Sequence, residues 1–497
     1  MAVGKNQNDR IIFGLKVKQL RQEKGLSFAD LSKQSGLSIS YLNEIEKGKK
    51  FPKAAKIVDL AAALDTQAEE LTDRKLSGSL APVGDLLHSN FLNELPLDLF
   101  GIELSKVVEI IANAPLRVGA FISTLMDLAR NFSLREENFY QGALRSYQEM
   151  HYNYFEDIEE AASRFVEEYQ LPKGRAVPLH LLIGILEDTY GYKIVENGLE
   201  EYPELQHLRA VYIQQKNRLL LQSGLTQTQR AFQLAKELGF QYLELGERSA
   251  SSSLLKVRSF EEVLNHFRAA YFGVAILIHR DSFKSDLQSF FARKTWDGQA
   301  FIGLMKKYRA SPEMLFQRLT NLIPRFFGLE MLFSLRFKHD PVEDSFQIDK
   351  ELHLNRHHHP HGNQISEHYC RRWMSLSLLK DLHQMQTDGK YVDTIVGAQR
   401  SRYYGTGDEY LCLTLARIGS PNLGQNVSVT LGFLLNEEVK KTIHFWDDPA
   451  LSLREVHTTC ERCPIDDCQE RAKPALIIEK RNRRRKMEEA IRKITGE

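Results

Sequence analysis

The chain has 497 residues, 42% of them hydrophobic, with 66 Lys and Arg against 65 Asp and Glu and a formal net charge of +1. That length predicts about three or four globular domains, and the balanced charge excludes a chain-wide positive field as a source of nucleic-acid binding, so any basic surface has to be local. No apolar run of about 18 residues and no charged-then-apolar start occurs, so a cytoplasmic protein with no membrane partner is expected.

Residues 11–72 form the first unit of the pattern. Leu15, Leu20, Leu26, Phe28, Leu31, Leu37, Leu42, Ile45, Ile57, Leu60 and Leu64 recur at spacings that place them on the inner faces of five short helices. Ser27 caps a helix that ends at Gly36, and Ser38 caps the next, which runs through Tyr41, Leu42 and Ile45 to Gly48. In such a helix-turn-helix the second helix enters the major groove with its first residues at base edges. With Leu42 and Ile45 turned inward, the DNA-facing set is Ser38, Ile39, Ser40, Asn43 and Glu44; Asn43 suits adenine and Ile39 a thymine methyl. Lys47, Lys49 and Lys50 suit phosphates, which position the protein without specifying sequence. The same residues also permit a small helical bundle used for protein contact. The stretch "LSFADLSKQSGLSISYLNEIEKGKKFP" closely resembles the XRE (lambda-repressor-like) helix-turn-helix family, which implies a double-stranded DNA operator as partner.

Residues 73–90 lose periodicity and gather Ser, Gly and Pro, as a linker does. Residues 91–171 turn helical again, with Leu104, Val107, Val108, Ile111, Phe121, Leu125 and Leu128 on apolar faces. They read either as a homodimer contact or as a spacer packing within one chain. Over residues 172–250 the pattern is helix, strands, helix: "LHLLIGILEDTYG", then "YKIVE", "LRAVYIQQ" and "NRLLLQ" with a turn at Gln215, Lys216 and Asn217, then "TQTQRAFQLAKELGFQYLEL". This stretch resembles the zinc-peptidase-like domains that follow XRE heads in bacterial regulators. That family's helix reads roughly A-H-E-L-G-H, with zinc on two histidines one turn apart. Here Lys236 and Phe240 stand at both ligand positions, so a zincin-like scaffold without peptidase chemistry is expected, and Glu237 becomes an ordinary surface or salt-bridging residue.

Residues 251–345 read as helical and apolar, including "ASPEMLFQRLTNLIPRFFGLEMLFSLRF", with Ser311 and Pro312 as a helix start. Their Phe, Met and Leu suit a core, and a cleft between such helices also suits an acyl chain. Residues 346–479 read as a sensor domain. It opens with "HLNRHHHPHG", a solvated loop able to hold nickel or zinc adventitiously, and continues in the alternating "VDTIVGAQRS", "EYLCLTLARIG" and "NVSVTLGFLLN", an antiparallel sheet with Cys412 as a core thiol. Residues 480–497 are a basic tail that suits either solvent or a second DNA contact.

Cys460, Cys463 and Cys468 stand as C-x2-C-x4-C in a Pro-containing loop, and Cys370 in "EHYCRRW" is the best remaining fourth thiol. Four thiolates complete a tetrahedral zinc or an iron–sulfur cluster, and the spacing leaves both open, as it does zinc with His457 in place of Cys370.

The XRE head, the zinc-less peptidase-like middle and "CERCPIDDCQERAKP" below an upstream Cys near Trp373 together resemble the short-chain fatty acyl-CoA regulators, bacterial transcription factors of the mycobacterial methylcitrate-cycle type. The resemblance implies a factor controlling short-chain acyl-CoA metabolism. Its effector would be an acyl-CoA such as propionyl-CoA, and a four-iron (4Fe-4S) cluster would sit on Cys370, Cys460, Cys463 and Cys468. Arg400 and Arg402 in "GAQRSRYYG" are candidate partners for the CoA phosphates. The fold class expected is multidomain and mainly α with α+β: a helix-turn-helix head, a helical and zincin-like middle and a C-terminal α/β sensor.

Overall fold

A computed structural model describes residues 7–73, 76, 136–251, 257–354, 367–419 and 424–495. The apolar positions expected between 91 and 135, and the histidine run beyond Leu354, lie outside the described residues. The chain divides into two compact units, one made of residues 1–147 with 257–260 and the other of the remainder.

In the first unit, helices α1 (Gln7–Glu23), α2 (Phe28–Ser35), α3 (Ile39–Glu46), α4 (Ala54–Ala63) and α5 (Ala68–Thr72) close around Phe13, Val17, Leu31, Leu42, Ile45, Leu60 and Leu64. The expected caps set the boundaries. The Ser27 hydroxyl accepts the Asp30 N–H while the Asp30 carboxylate accepts the Ser27 N–H, so both orphan donors at the start of α2 are satisfied. Gly36 ends α2 in the left-handed region at φ 70°, and Ser38 then caps α3 by accepting the Tyr41 N–H. Two contacts that the apolar pattern does not encode fix α3 against α1. A Cβ on Gly14 would lie 2.3 Å from the Ile45 carbonyl oxygen, so the two helix backbones touch there. At the other end Arg21 grips the buried Glu46 at 2.6 and 2.9 Å and donates to the Leu26 carbonyl, with its guanidinium over the Phe28 ring.

Helix α6 (Glu136–Met150) leads into the second unit, whose helical part comprises α7 (Glu156–Glu168), α8 (Leu179–Gly184) running into a π-turn (Ile185–Thr189), α9 (Gln227–Tyr242), α10 (Phe260–Leu277), α11 (Arg280–Phe291), α12 (Gly298–Lys307) and α13 (Pro312–Phe327). A three-stranded sheet of β1 (Lys193–Val195), β2 (Ala210–Ile213) and β3 (Arg218–Leu221) has the order β1-β3-β2, with β1 parallel and β2 antiparallel to β3. Asn217, in the left-handed region at φ 46°, makes the turn expected between β2 and β3.

At the centre of this part lies a charged group no solvent reaches. Arg318 of α13 is fully buried and its guanidinium forks onto the Glu159 carboxylate of α7. It also donates to the Ile278 carbonyl, and the Tyr271 hydroxyl donates to Glu159 at 2.8 Å. Burial alone would raise the Glu159 pKa; the Arg318 charge and the hydrogen bonds from Arg318 and Tyr271 outweigh it and hold the carboxyl below its ordinary range.

The second half is a six-stranded sheet of order β5-β4-β8-β7-β6-β9, built from β4 (Leu332–Asp340), β5 (Ser345–His353), β6 (Thr394–Tyr403), β7 (Glu409–Ile418), β8 (Asn426–Leu434) and β9 (Ser452–Val456). Helix α14 (Met374–Thr387) packs on one face of it, over Leu335, Phe337 and Tyr410, and the short α15 (Glu437–Thr442) precedes β9. The three expected strands are the antiparallel β6, β7 and β8. The helical reading of "LEMLFSLRF" is corrected. Gly328, at φ 67°, ends α13, and from Leu332 burial alternates with the period of a strand whose polar members Arg336 and Lys338 face away from α14. The edge strand β9 pairs parallel to β6, which short-range patterning does not reveal.

Replacing Glu159 by Gln strands the Arg318 charge and is expected to cost about 3–5 kcal/mol in denaturant unfolding, much of it recovered when Arg318→Met is added. Because the folded pKa of Glu159 is depressed, its contribution is complete above the unfolded carboxyl value and is lost as the pH falls through the folded one; an acid titration of stability in wild type and Glu159→Gln checks that sign. Gly14→Ala is expected to destabilise the helix-turn-helix by about 1–3 kcal/mol, read as a lower unfolding midpoint, because backbone meets the new methyl.

Candidate functional site

The recognition helix presents the face its sequence calls for. Leu42 and Ile45 are fully buried, whereas Ser38, Ser40, Asn43, Lys47, Lys49 and Lys50 are exposed, Ile39 is 51% exposed and Glu44 is half-buried. An isoleucine beside an amide and two hydroxyls is a set suited to base edges, the apolar side chain to a thymine methyl and the amide to adenine. The basic rim extends beyond the expected lysines: Lys53 and Lys56 are exposed too, and the Lys56 ammonium sits 4.5 Å from the Tyr41 ring centroid. Sequence reasoning missed Arg21, which orients α3 through Glu46. Its signal was a Glu on the buried side of a recognition helix, which requires a partner.

In the peptidase-like stretch, α9 buries Lys236, Glu237 and Phe240 together. The Lys236 ammonium lies 2.9 Å from His266 Nδ1, and the Ser249 N–H donates to His266 Nε2. Burial lowers Lys236 to about 8 and His266 to about 3. Of the two expectations for Glu237, the salt-bridging one holds and the surface one does not: it is buried, and takes Arg248 at 2.8 Å and the Tyr192 hydroxyl at 3.2 Å. Phe240 meets the His266 ring edge-on and lies under the Arg248 guanidinium. A carboxylate engaged by Arg248 and Tyr192 is not free to act as a general base, and an ammonium and a phenyl ring supply no zinc ligand. The retained Gly239 has a packing reason, since a Cβ there would lie 2.7 Å from the Ala269 carbonyl of α10.

The cysteines come together from two distant segments. An antiparallel bridge joins Tyr369 to Thr459, with the Cys370 N–H donating to the Thr458 carbonyl at 3.1 Å and the Cys460 N–H to the His368 carbonyl at 2.8 Å. Side chains reinforce it: His368 Nδ1 lies 2.8 Å from a Glu461 carboxylate oxygen, and Arg462 grips Glu367 at 2.7 and 2.8 Å. The Arg471 guanidinium gathers the loop by donating to the carbonyls of Cys460, Cys463 and Ile465, and the Ala472 N–H points at Cys460 Sγ from 3.4 Å. Cys370, Cys460 and Cys463 are buried and Cys468 is half-buried. Burial pushes the Cys370 thiol up to about 11, and Cys460 and Cys463 add to that rise; burial also raises Cys463, helped by Cys468 and Cys460. Cys370 thus feels Cys460 and Cys463, and Cys463 feels Cys460 and Cys468. As the side chains stand, no group of three or more His, Cys, Asp or Glu among the described residues is arranged to hold a metal ion. As a donor set, buried thiols with backbone N–H groups aimed at sulfur fit a thiolate-bound centre. His457 is held below its ordinary range by burial and by Arg462 and Arg481.

Arg400 and Arg402 lie on β6 and both bond Glu409 across the β6–β7 pair, with Arg400 also against the Trp446 ring. An anion at this place has to displace Glu409. Cys412 is a buried core thiol, pushed by burial up to about 12.

Two family models match parts of the chain. Residues 12–74 match the family described as helix-turn-helix domain, and residues 188–320 match the IrrE N-terminal-like domain. The chain is 40% identical over 60 residues to the uncharacterized HTH-type transcriptional regulator YazB of Bacillus subtilis, a match that takes in 12% of this chain and 87% of that protein. Among solved structures, a Mycobacterium tuberculosis transcriptional regulator aligns at 19% identity and a TM-score of 0.47, over 67% of this chain and 94% of that one. Through its N-terminal domain the chain belongs to the helix-turn-helix family of transcriptional regulators.

Proposed function

We propose that this is a sequence-specific, cytoplasmic DNA-binding regulator of short-chain acyl-CoA metabolism, active as a homodimer or higher homo-oligomer. In this reading its DNA affinity is set by a short-chain acyl-CoA and by an iron–sulfur cluster held by Cys370, Cys460, Cys463 and Cys468. The observation that carries the DNA-binding part is the exposed row Ile39, Ser40 and Asn43 on a helix whose opposite side is locked into the core. Two-fold pairing of such heads matches a palindromic operator with half-sites about one helical turn apart.

The sensor part rests on the pairing of two segments about 90 residues apart through backbone bonds made by the cysteines themselves or by their neighbours. A thiolate-bound centre there would tie the start of α14 to the loop after β9, so its loss would loosen both. An acyl-CoA acts as a switch only by binding one DNA-binding state more tightly than the other. Helix α9 favours regulation over proteolysis, because Lys236 and Phe240, both packed against His266, offer no zinc ligand.

Asn43→Ala is expected to cost about 1–3 kcal/mol at the preferred site and to relax specificity, whereas Lys49→Ala should weaken all duplexes about equally; a competition binding assay with specific and random DNA separates the two. Protein purified without oxygen and without a nickel column is expected to hold about four irons with acid-labile sulfide, both lost in Cys463→Ser. One zinc and no sulfide in the wild type would sink the iron–sulfur assignment and leave a structural staple.

A further inference from the structure

The C-terminal helix α16 (Leu476–Thr495) contributes nothing to any core: it has no buried residue, and from Glu479 to Thr495 every side chain is exposed. It is also where the chain concentrates charge. The helix carries eight Lys and Arg against three Glu, while the rest of the sequence holds 58 against 62. Six of those cations, Lys480, Arg481, Arg483, Arg484, Arg485 and Lys486, fall within seven residues.

Lys480 with Arg484, and Arg481 with Arg485, are like charges one turn apart, an arrangement that opposes helix formation. Only Arg484 and Arg485 have acidic partners along the helix, Glu488 at 2.9 Å and Glu489 at 3.6 Å. Most helical stability in proteins comes from tertiary packing of an apolar face, which this helix lacks. It gains a reason to exist when an external polyanion neutralises the repulsion. The apolar side, Met487, Ile491 and Ile494, spans two turns and is exposed by 56% or more at each position. That is shorter than the three or four heptads a self-sufficient coiled coil uses, so charge and not the apolar stripe identifies the occupant.

We propose that α16 is a second DNA-binding element, which lies along the phosphate backbone of duplex DNA and adds sequence-independent affinity to that of the helix-turn-helix. The proposal rests on the DNA-binding reading only in choosing duplex DNA as the polyanion. Each phosphate neutralised contributes about 0.9 to the slope of log affinity against log salt.

The test is fluorescence anisotropy of the full chain on a preferred site and on random duplex across a salt series, for wild type, Asn43→Ala, and a variant in which Arg483, Arg484, Arg485 and Lys486 are all Gln. The four-Gln variant is expected to lower the salt slope by about 3 to 4 on both duplexes while keeping the preference for the specific site. A variant with the three arginines changed to Lys should retain the wild-type slope. Asn43→Ala should do the reverse of the four-Gln variant, losing preference at unchanged slope, so failure of the recognition-helix reading is seen separately. An unchanged slope in the four-Gln variant overturns the proposal. So does tighter binding of wild type to phosphatidylglycerol vesicles than to duplex DNA, or a fall in oligomeric state in Met487→Ser/Ile491→Ser, which would make the occupant a bilayer or a second copy.

Discussion

The second unit depends on a cation that has nowhere to go. Arg318 is fully buried and bonds Glu159 and the Ile278 carbonyl, with Tyr271 of α10 on the same carboxylate, so α7, α10 and α13 have to meet at one point. That meeting fixes α13, whose first turn carries Glu313. Burial would raise the Glu313 pKa, but Arg417 of β7 and Arg336 of β4 hold it well below the carboxylate range. The helical part thereby grips two strands of the large sheet. The sheet in turn ends in β9, and four residues beyond its end stands Cys460. Ion pairs therefore tie the helical part to the sheet whose last strand leads into the cysteine loop. Such buried pairs confer a unique arrangement more than net stability, since a well-packed apolar substitute is often as stable.

This connectedness suits a sensor. Under the proposed function, a change at the cysteine loop would act on the backbone bridge between Tyr369 and Thr459, and through it on α14, which packs on β6, β7 and β8. Coupling between effector and DNA requires a difference in binding free energy between two states, typically 1–3 kcal/mol, or about 5–150-fold in affinity. The degenerate peptidase helix fits the same purpose. With Lys236 against His266 and Glu237 held by Arg248, this stretch of the helix is a packed polar core.

The helix-turn-helix was legible almost residue by residue because its signals are local: Ser27, Gly36 and Ser38 set boundaries, and the apolar spacing set faces. The strands β6 to β8 were legible for the same reason, through alternation between turns. What escaped the sequence depends on partners far along the chain. "LFSLRFKHD" alternates plainly, yet it follows an apolar helix, and only the left-handed Gly328 separates the two periods. That Glu237 forms its ion pair in the core rather than at the surface was not legible, because its partners Arg248 and Tyr192 do not lie within a helical turn of it. The four cysteines were picked out by spacing and chemistry, but the backbone bridge that brings Cys370 to Cys460 leaves no local trace. The arginines Arg400 and Arg402 were chosen for charge alone, and both have a carboxylate partner in Glu409.

The most direct measurement is the affinity of anaerobically purified protein for duplexes selected from a random pool, with and without a saturating short-chain acyl-CoA. A shift of about 5-fold or more, specific to the acyl thioester and absent with free CoA, is the expected result. Equal affinities with and without acyl-CoA, from protein that still selects a defined site, would contradict the account and leave a DNA-binding protein that senses no acyl-CoA.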